Sequence, residues 1–266
     1  MAGDVGRVRE LWRYPVKSLR GEQVDEVEVT ASGVAGDRLY ALRDRASGRV
    51  MSGKRWARLL ECAARYPDGP AAPPEIVLPA GESVPAERAS VRLSAWLGRE
   101  VELVRTVPGA IDQYEIAIQT LEEIEAGVDQ LAVETGDFSC PPGSFFDAAP
   151  LHLLTDAALA ALTALRADAR FDVRRFRPNV LVDTGAAPGP VERAWVGRTV
   201  ALGSQARAAV LMEAIRCVMT TLPQGDLPRD PRILRTVTRE SGGTAGVYAT
   251  VELLGRVRVD DAVALI

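Results

Sequence analysis

The sequence predicts a mainly β protein with peripheral helices, built as a β-barrel with an N-terminal β-rich subdomain beside it. Two observations predict that class: short runs of alternating apolar and polar residues recur along the chain, and 23 glycines and 17 prolines punctuate them in place of long helical stretches. A third observation bounds the size. A chain of 266 residues, 47% of them hydrophobic, can build one large domain or two smaller ones sharing an interface.

The first half reads as strands and turns. Residues 5–14 alternate around Val5, Val8 and Leu11, and Pro15 ends the run. Residues 23–29 alternate again on Val24, Val27 and Val29. Gly33 and Gly36 break that strand, and 39–42 resumes one. A short helix is expected over 54–64, then a loop over 67–74, where four of eight residues are proline. One or two helical turns over 90–97 lead into a strand over 100–105. Residues 106–150 are the least regular. A helix over 112–133 is expected from Leu121, Ile124, Val128 and Leu131, although Gly127 interrupts it, and residues 140–144 form a turn. The boundary between the halves falls near this irregular stretch and its closing turn. With the stretch counted to the second half, the domains run 1–110 and 111–266.

The second half is more regular. Residues 155–165 form the strongest helix, with Thr155 as N-cap, Asp156 at the positive end and Ala and Leu in the body. Strands follow at 179–182, 200–202 and 208–212, then a loop over 221–230. Pro231 suits the first turn of a helix through 238. Strands at 246–253 and 262–265 close the order.

Composition narrows the function. A net charge of -4 gives no general pull toward nucleic acid or an anionic membrane. No run approaches the roughly 18 apolar residues that span a bilayer. Residues 1–7 lack an apolar leader core, so no secretory signal is expected. Cys62, Cys140 and Cys217 are odd in number and far apart, and no C-x-x-C pair exists. A disulfide framework, a structural zinc site and an iron–sulfur cluster are therefore not expected, and a reduced cytoplasmic setting is the natural reading. A single histidine, His152, excludes chemistry that needs two or three His ligands.

Candidate chemistry collects at strand ends. Cys217 leaves an apolar strand just before a Pro/Gly loop, and Arg216 beside it favours the thiolate that attacks or ligates metal. Its context alone leaves a second reading open, and the plainer one: a small buried core residue, the commoner fate of a free cysteine. Three cationic segments, around Lys17 and Ser18, around Arg38, and over 174–179 with Arg177 and Asn179, also lie where strands meet turns. Together they suit one anion pocket; taken singly, each reads as solvated surface charge. His152, between Leu151 and Leu153, reads as a hydrogen-bonded core histidine. The glycine-rich 242–246 suits either a close backbone approach to a ligand or a plain hairpin.

Five of these segments in order, LWRYPVKS at 11–18, GDR at 36–38, FRPN at 176–179, RCVMTT at 216–221 and GVY at 246–248, resemble the MOSC-domain proteins with an N-terminal MOSC β-barrel domain. That family includes the mitochondrial amidoxime-reducing component, its bacterial relatives and the C-terminal part of molybdenum cofactor sulfurase. The resemblance implies a MOSC-type β-barrel and a molybdenum–molybdopterin cofactor. It implies Cys217 as the molybdenum ligand and catalytic residue. It places Lys17, Ser18 and Arg38 at the phosphate and pterin, Arg177 and Asn179 at the pterin, and Arg216 and Tyr248 at flanking contacts. Thr155 stands where the family carries a small hydroxyl near the cofactor, although its N-cap role accounts for it equally well.

The resemblance also implies an oxidoreductase that reduces N-hydroxylated or N-oxide small molecules. With no cluster-binding cysteines here, electrons are expected from a separate flavin or iron–sulfur protein. The loop over 222–230 departs from the family's Asp- and Gly-containing loop, which puts substrate preference in doubt. Two alternatives stay open: a sulfur carrier with a Cys217 persulfide, or a carrier or maturation protein for the cofactor; and a non-enzymatic barrel in which Cys217 is core. Partners on nucleic acid or membrane are not expected.

Overall fold

The computed structural model describes residues 3–266, so Met1 and Ala2 of the stretch weighed above as a leader lie outside the described residues. In the first half, alternating segments form β1 (Gly3–Arg13), β2 (Glu22–Val24), β3 (Glu26–Thr30), β4 (Gly33–Val34) and β5 (Tyr40–Asp44). A 3-10 turn over Ala57–Glu61 precedes β6 (Ala63–Arg65), β7 (Glu75–Val77) and β8 (Ser83–Pro85). Helix α1 (Ala86–Leu97) and β9 (Val101–Arg105) complete it. The single strand expected over 23–29 splits at Asp25, because its two parts pair with different partners, β2 with β1, and β3 with β4 and with the strand Gly255–Arg258. The helix expected over 54–64 is only the 3-10 turn, since Cys62 already has extended backbone and β6 begins at once.

The helix expected over 112–133 is overturned. That stretch opens the hairpin β10 (Gln113–Ala117) and β11 (Thr135–Ser139), and only α2 (Leu121–Ala126) is helical. Tyr114 points into a small core with Ala41, Val50, Cys140 and Phe145, and Ile116 packs against it; a two-residue period serves this one-sided burial. A capping box between Thr120 and Glu123 starts α2, and left-handed Gly127 stops it.

The second half adds β12 (Leu151–Thr155), α3 (Asp156–Leu165), α4 (Val173–Phe176), β13 (Val180–Asp183), β14 (Thr199–Leu202) and β15 (Ala206–Ile215). It ends with α5 (Arg232–Glu240), β16 (Thr244–Leu253), β17 (Gly255–Arg258) and β18 (Ala262–Leu265). Seven strands close a barrel in the order β1, β13, β12, β16, β15, β14, β18 and back to β1. Every pairing is antiparallel except β12 with β13. The first strand is thus built into the barrel of the second half, between β13 and β18. The barrel interior is filled by Val8, Leu11, Leu153, Val182, Trp195, Val210, Val247 and Val263, among others. The first half has its own core around Leu19, Leu42, Leu59, Ile76 and Leu93, under α1.

Strand β12 carries no alternation because both of its faces are covered. Leu151 and Leu153 enter the barrel, while Leu154 meets Leu162, Phe176, Ile233 and Val237 of the helical layer. Thr155 ends β12 and caps α3, accepting from Ala158 N at 3.1 Å. Its hydroxyl also donates to Glu192 Oε2 at 2.6 Å, and Glu192 is wholly buried, which pushes its carboxyl above the usual range. Replacing Thr155 by isosteric Val removes the cap and strips this partner from a buried carboxyl. Urea unfolding should show a loss of about 2 to 4 kcal/mol; a loss under about 0.5 kcal/mol would contradict that account.

Candidate functional site

Four loops bring the predicted residues to one end of the barrel. After β1, Lys17 N donates to Tyr40 O and Ser18 turns left-handed, φ 65°. Before β5, Arg38 is left-handed, φ 49°, with its N–H on Tyr14 O. At the end of α4, Arg177 is left-handed as well, φ 57°, and leads into Asn179 beside β12. Two residues beyond β15, Cys217 caps the 3-10 turn Val218–Thr221, and its carbonyl accepts from Thr220 N at 3.1 Å and Thr220 Oγ at 3.0 Å. Among the described residues only four non-glycine residues have positive φ, and three of them are here. Each costs roughly 1–3 kcal/mol, so the surrounding contacts must hold them.

Lys17, Ser18, Arg38, Arg177, Asn179, Arg216, Cys217 and Tyr248 all line one cavity of about 270 Å³. Cys217 is half-buried and opens into it, whereas Cys62 and Cys140 are sealed. Burial pushes the Cys62 thiol up to about 12 and raises that of Cys140. Thr155 is the exception among the predicted residues. It does not line the cavity, it has no exposed surface, and Glu192 and the α3 N-terminus occupy its hydroxyl. Its place in the chain is therefore explained by the cap.

Two charged residues that sequence reasoning passed over complete the cavity. Asp147 pairs with Lys17 Nζ, and with Lys54 Nζ at 2.8 Å. Lys17 also donates to Phe145 O at 2.9 Å, and both ammonium groups lie over the Tyr114 ring, at 4.4 Å and 5.3 Å. Burial opposes the charge on Asp147, but the two ammonium groups outweigh it and hold the carboxyl below its usual range. Burial would likewise lower Lys54, yet Asp147 and Cys217 keep its pKa raised. Asp147 retains 41% of its side-chain exposure, so solvent screens this triad.

Behind the cavity, Asp37 accepts from Tyr14 N at 2.7 Å, from Asn179 Nδ2 at 3.0 Å, and from Arg38. Asn179 Oδ1 in turn accepts from His152 N at 3.1 Å. The Tyr14 ring lies under both Arg38 and Arg177, 4.8 Å and 4.3 Å from its centroid. Burial, and then Arg38, pull the Arg177 guanidinium down to about 10, still cationic at neutral pH. Arg216 donates to Phe176 O at 2.7 Å, lies 3.3 Å from His152 Nε2, and leaves its own buried Nε without a partner. His152 packs 5.4 Å from the Tyr248 ring, and Gly246 is what allows the approach. A Cβ on Gly246, whose φ is 81°, would strike His152 Nε2 and come within 2.6 Å of Leu153 O.

Five cations thus face two carboxylates, Asp37 and Asp147, leaving three positive charges uncompensated beside one thiol. Such a hollow suits a polyanionic ligand that also offers a soft metal or an electrophile. Among the described residues no three His, Cys, Asp or Glu side chains cluster as a metal site, so a metal on Cys217 would have to bring its other ligands with it.

Burial, and then Arg216, hold His152 well below its ordinary value of 6.5, so the ring is neutral in the fold. A depressed folded pKa means that the unfolded chain takes up the proton first. Stability is intact above about 6.5 and falls as pH drops below it. Thermal melts from pH 7.5 to 5 should show this decline, worth at most about 1.4 kcal/mol per pH unit from this group. His152→Gln should flatten it. An unchanged slope would assign the decline to other groups.

The MOSC domain model matches residues 141–264, and the MOSC N-terminal beta barrel domain model matches residues 5–106. The chain is 26% identical over 286 residues to mitochondrial amidoxime reducing component 2 of Macaca fascicularis, covering 97% of this chain and 83% of the relative. It is also 26% identical over 293 residues to the Homo sapiens protein of that name, with the same coverage. Among solved structures, the YUAD protein from Bacillus subtilis aligns with a TM-score of 0.49 and 12% identity, over 100% of this chain and 96% of that one. Among the described residues no helix is long and apolar enough to cross a membrane. With its two domain models in order over most of the chain, the protein belongs to the MOSC family, which is associated with the molybdenum cofactor, in the form that carries the MOSC N-terminal β-barrel domain.

Proposed function

We propose that this chain holds molybdenum–molybdopterin in the cavity between its two halves and reduces N-hydroxylated or N-oxide small molecules there. The observation that carries the reading is the half-buried Cys217 thiol facing a hollow with three uncompensated positive charges. The amidoxime-reducing relatives, matched over 97% of the chain, supply the substrate class. The fit is chemical. A phosphate monoester needs Lys and Arg donors away from bulk salt, the unpartnered Arg216 Nε needs an acceptor, and a soft metal needs a thiolate.

In this reading Cys217 ligates the metal, while Lys17, Lys54, Ser18 and Arg38 hold the phosphate and its neighbourhood. Arg177, Asn179, Arg216 and Tyr248 take the pterin. When bound, the cofactor supplies two-electron oxygen-atom chemistry. The protein's share is placement and charge. Thr220 fixes the carbonyl of Cys217 and so the direction of its side chain. Asp37 and the Tyr14 face keep Arg38 and Arg177 packed and ready. Asp147 pairs with Lys17 and Lys54 and offsets their charge, and a phosphate held by these lysines would take its place. Neutral His152 gives Arg216 a neighbour that adds no further positive charge. The net reaction consumes two electrons and two protons per substrate and releases water, with the electrons delivered by a separate flavin or iron–sulfur protein.

Protein loaded with cofactor and given a chemical reductant should convert benzamidoxime to benzamidine. Cys217→Ser should lower that rate by at least about a thousandfold while phosphate and pterin contacts retain much of the cofactor. Absence of molybdenum from the purified protein after co-expression with the cofactor pathway would sink the reading. A stable persulfide on Cys217 found by mass spectrometry would favour the sulfur-carrier alternative.

A further inference from the structure

Cys217 opens on two cavities. The second, of about 460 Å³, is walled by residues of the β10–β11 hairpin, α2 and α5, and the two share Lys54, Phe138 and Cys217 in their walls. Its character is the reverse of the first. Ile116, Ile118, Ile124, Phe138, Val218 and Leu234 form its sides, and beyond the shared Lys54 only Gln119 is polar. Ile118 and Phe138 are half exposed, at 50% and 49%, at positions where solvent-facing polar residues would cost nothing. The volume lies within the roughly 300–1,000 Å³ of small-molecule sites, and an apolar wall with one polar end is their usual make-up.

We propose that this groove seats the apolar body of the substrate, with the N–O head directed toward Cys217, so that the preferred substrates carry a hydrocarbon or aryl body. This rests on the reductase reading above. A polyanion has no reason to enter the groove, because a phosphate or pterin there would be desolvated against isoleucines with a single cation for a partner. The cofactor and the substrate body would be sorted by polarity into the two cavities that share Cys217. The groove wall comes from α2, α5 and the hairpin, segments that do not contribute to the cationic hollow except through Phe138 and Tyr114.

The test reads the groove without the metal. Cys217 in cofactor-free protein is alkylated with N-ethylmaleimide and N-octylmaleimide, with glutathione as the reference thiol; Cys62 and Cys140 are buried and serve as internal controls. The octyl-to-ethyl rate ratio at Cys217 should exceed that of glutathione by at least about tenfold, because extra methylenes gain burial in the groove. Ile118→Asp and the uncharged Ile118→Asn should each bring the ratio close to the reference. Ile118 is half exposed, so both variants should keep the fold. A ratio equal to that of glutathione, or one unmoved by both variants, overturns the proposal. Turnover separates the two ideas. In loaded protein, octanamidoxime should have a lower KM than acetamidoxime, and Ile118→Asp should narrow that gap. Reduction of both with equal KM removes the groove and leaves the reductase reading standing. Reduction of neither, with the alkylation ratio intact, removes the reductase reading and the substrate assigned to the groove with it.

Discussion

Five positive charges share one small hollow, and much of the local structure exists to make that tolerable. Cations this close repel each other, and burial removes the water that would screen them. The protein answers with three devices. Asp37 sits behind Arg38 and is itself held by a backbone N–H and the Asn179 amide. The faces of Tyr14 and Tyr114 each lie against two cations. Asp147 bridges two lysines from the solvent side. The first two devices are buried and fixed, and the third is exposed. A buried scaffold and an exposed counter-ion together keep this cluster of cations stable.

The same demand explains the backbone. Ser18, Arg38 and Arg177 all adopt a conformation that non-glycine residues avoid. None of the three is a glycine, because each must supply a side chain at a sharp turn. The strain is held by neighbours with no freedom to move: Lys17 N on the Tyr40 carbonyl, Arg38 N on the Tyr14 carbonyl, and Arg177 N closing α4 on Val173. Local geometry that is unfavourable alone is carried by the barrel and the N-terminal half together.

How much of this was legible in the sequence varied with the physics of each element. Strands with one wet face, such as β1 and β3, show alternation that marks them as strands. Strand β12 is covered on both sides, so its five buried residues carry no period. The 112–133 stretch misled because Leu121, Ile124, Val128 and Leu131 mimic a helical stripe, while the alternation of Tyr114 and Ile116 was too brief to oppose it. The Thr155 cap was readable, since capping is local chemistry. The residues around Cys217 came from resemblance. Their spacing alone permitted a surface scatter of charge, and only the tertiary structure brings them to one cavity. Lys54 and Asp147 lie 93 positions apart in otherwise unremarkable sequence, and nothing local marks them as partners.

The placement of β1 between β13 and β18 has a consequence for the order of events in the cell. Residues 11–13 can pair with β2 early and residues 7–11 with β13 later, but residues 3–7 have no β18 beside them until residues 262–265 arrive to close the ring, a loop closure spanning nearly the whole chain. During synthesis the earlier half can gather its own core, but the wall that carries Lys17 cannot meet the wall that carries Cys217 until translation has passed both. The Cys217 thiol therefore joins the charged enclosure only once both walls have been made.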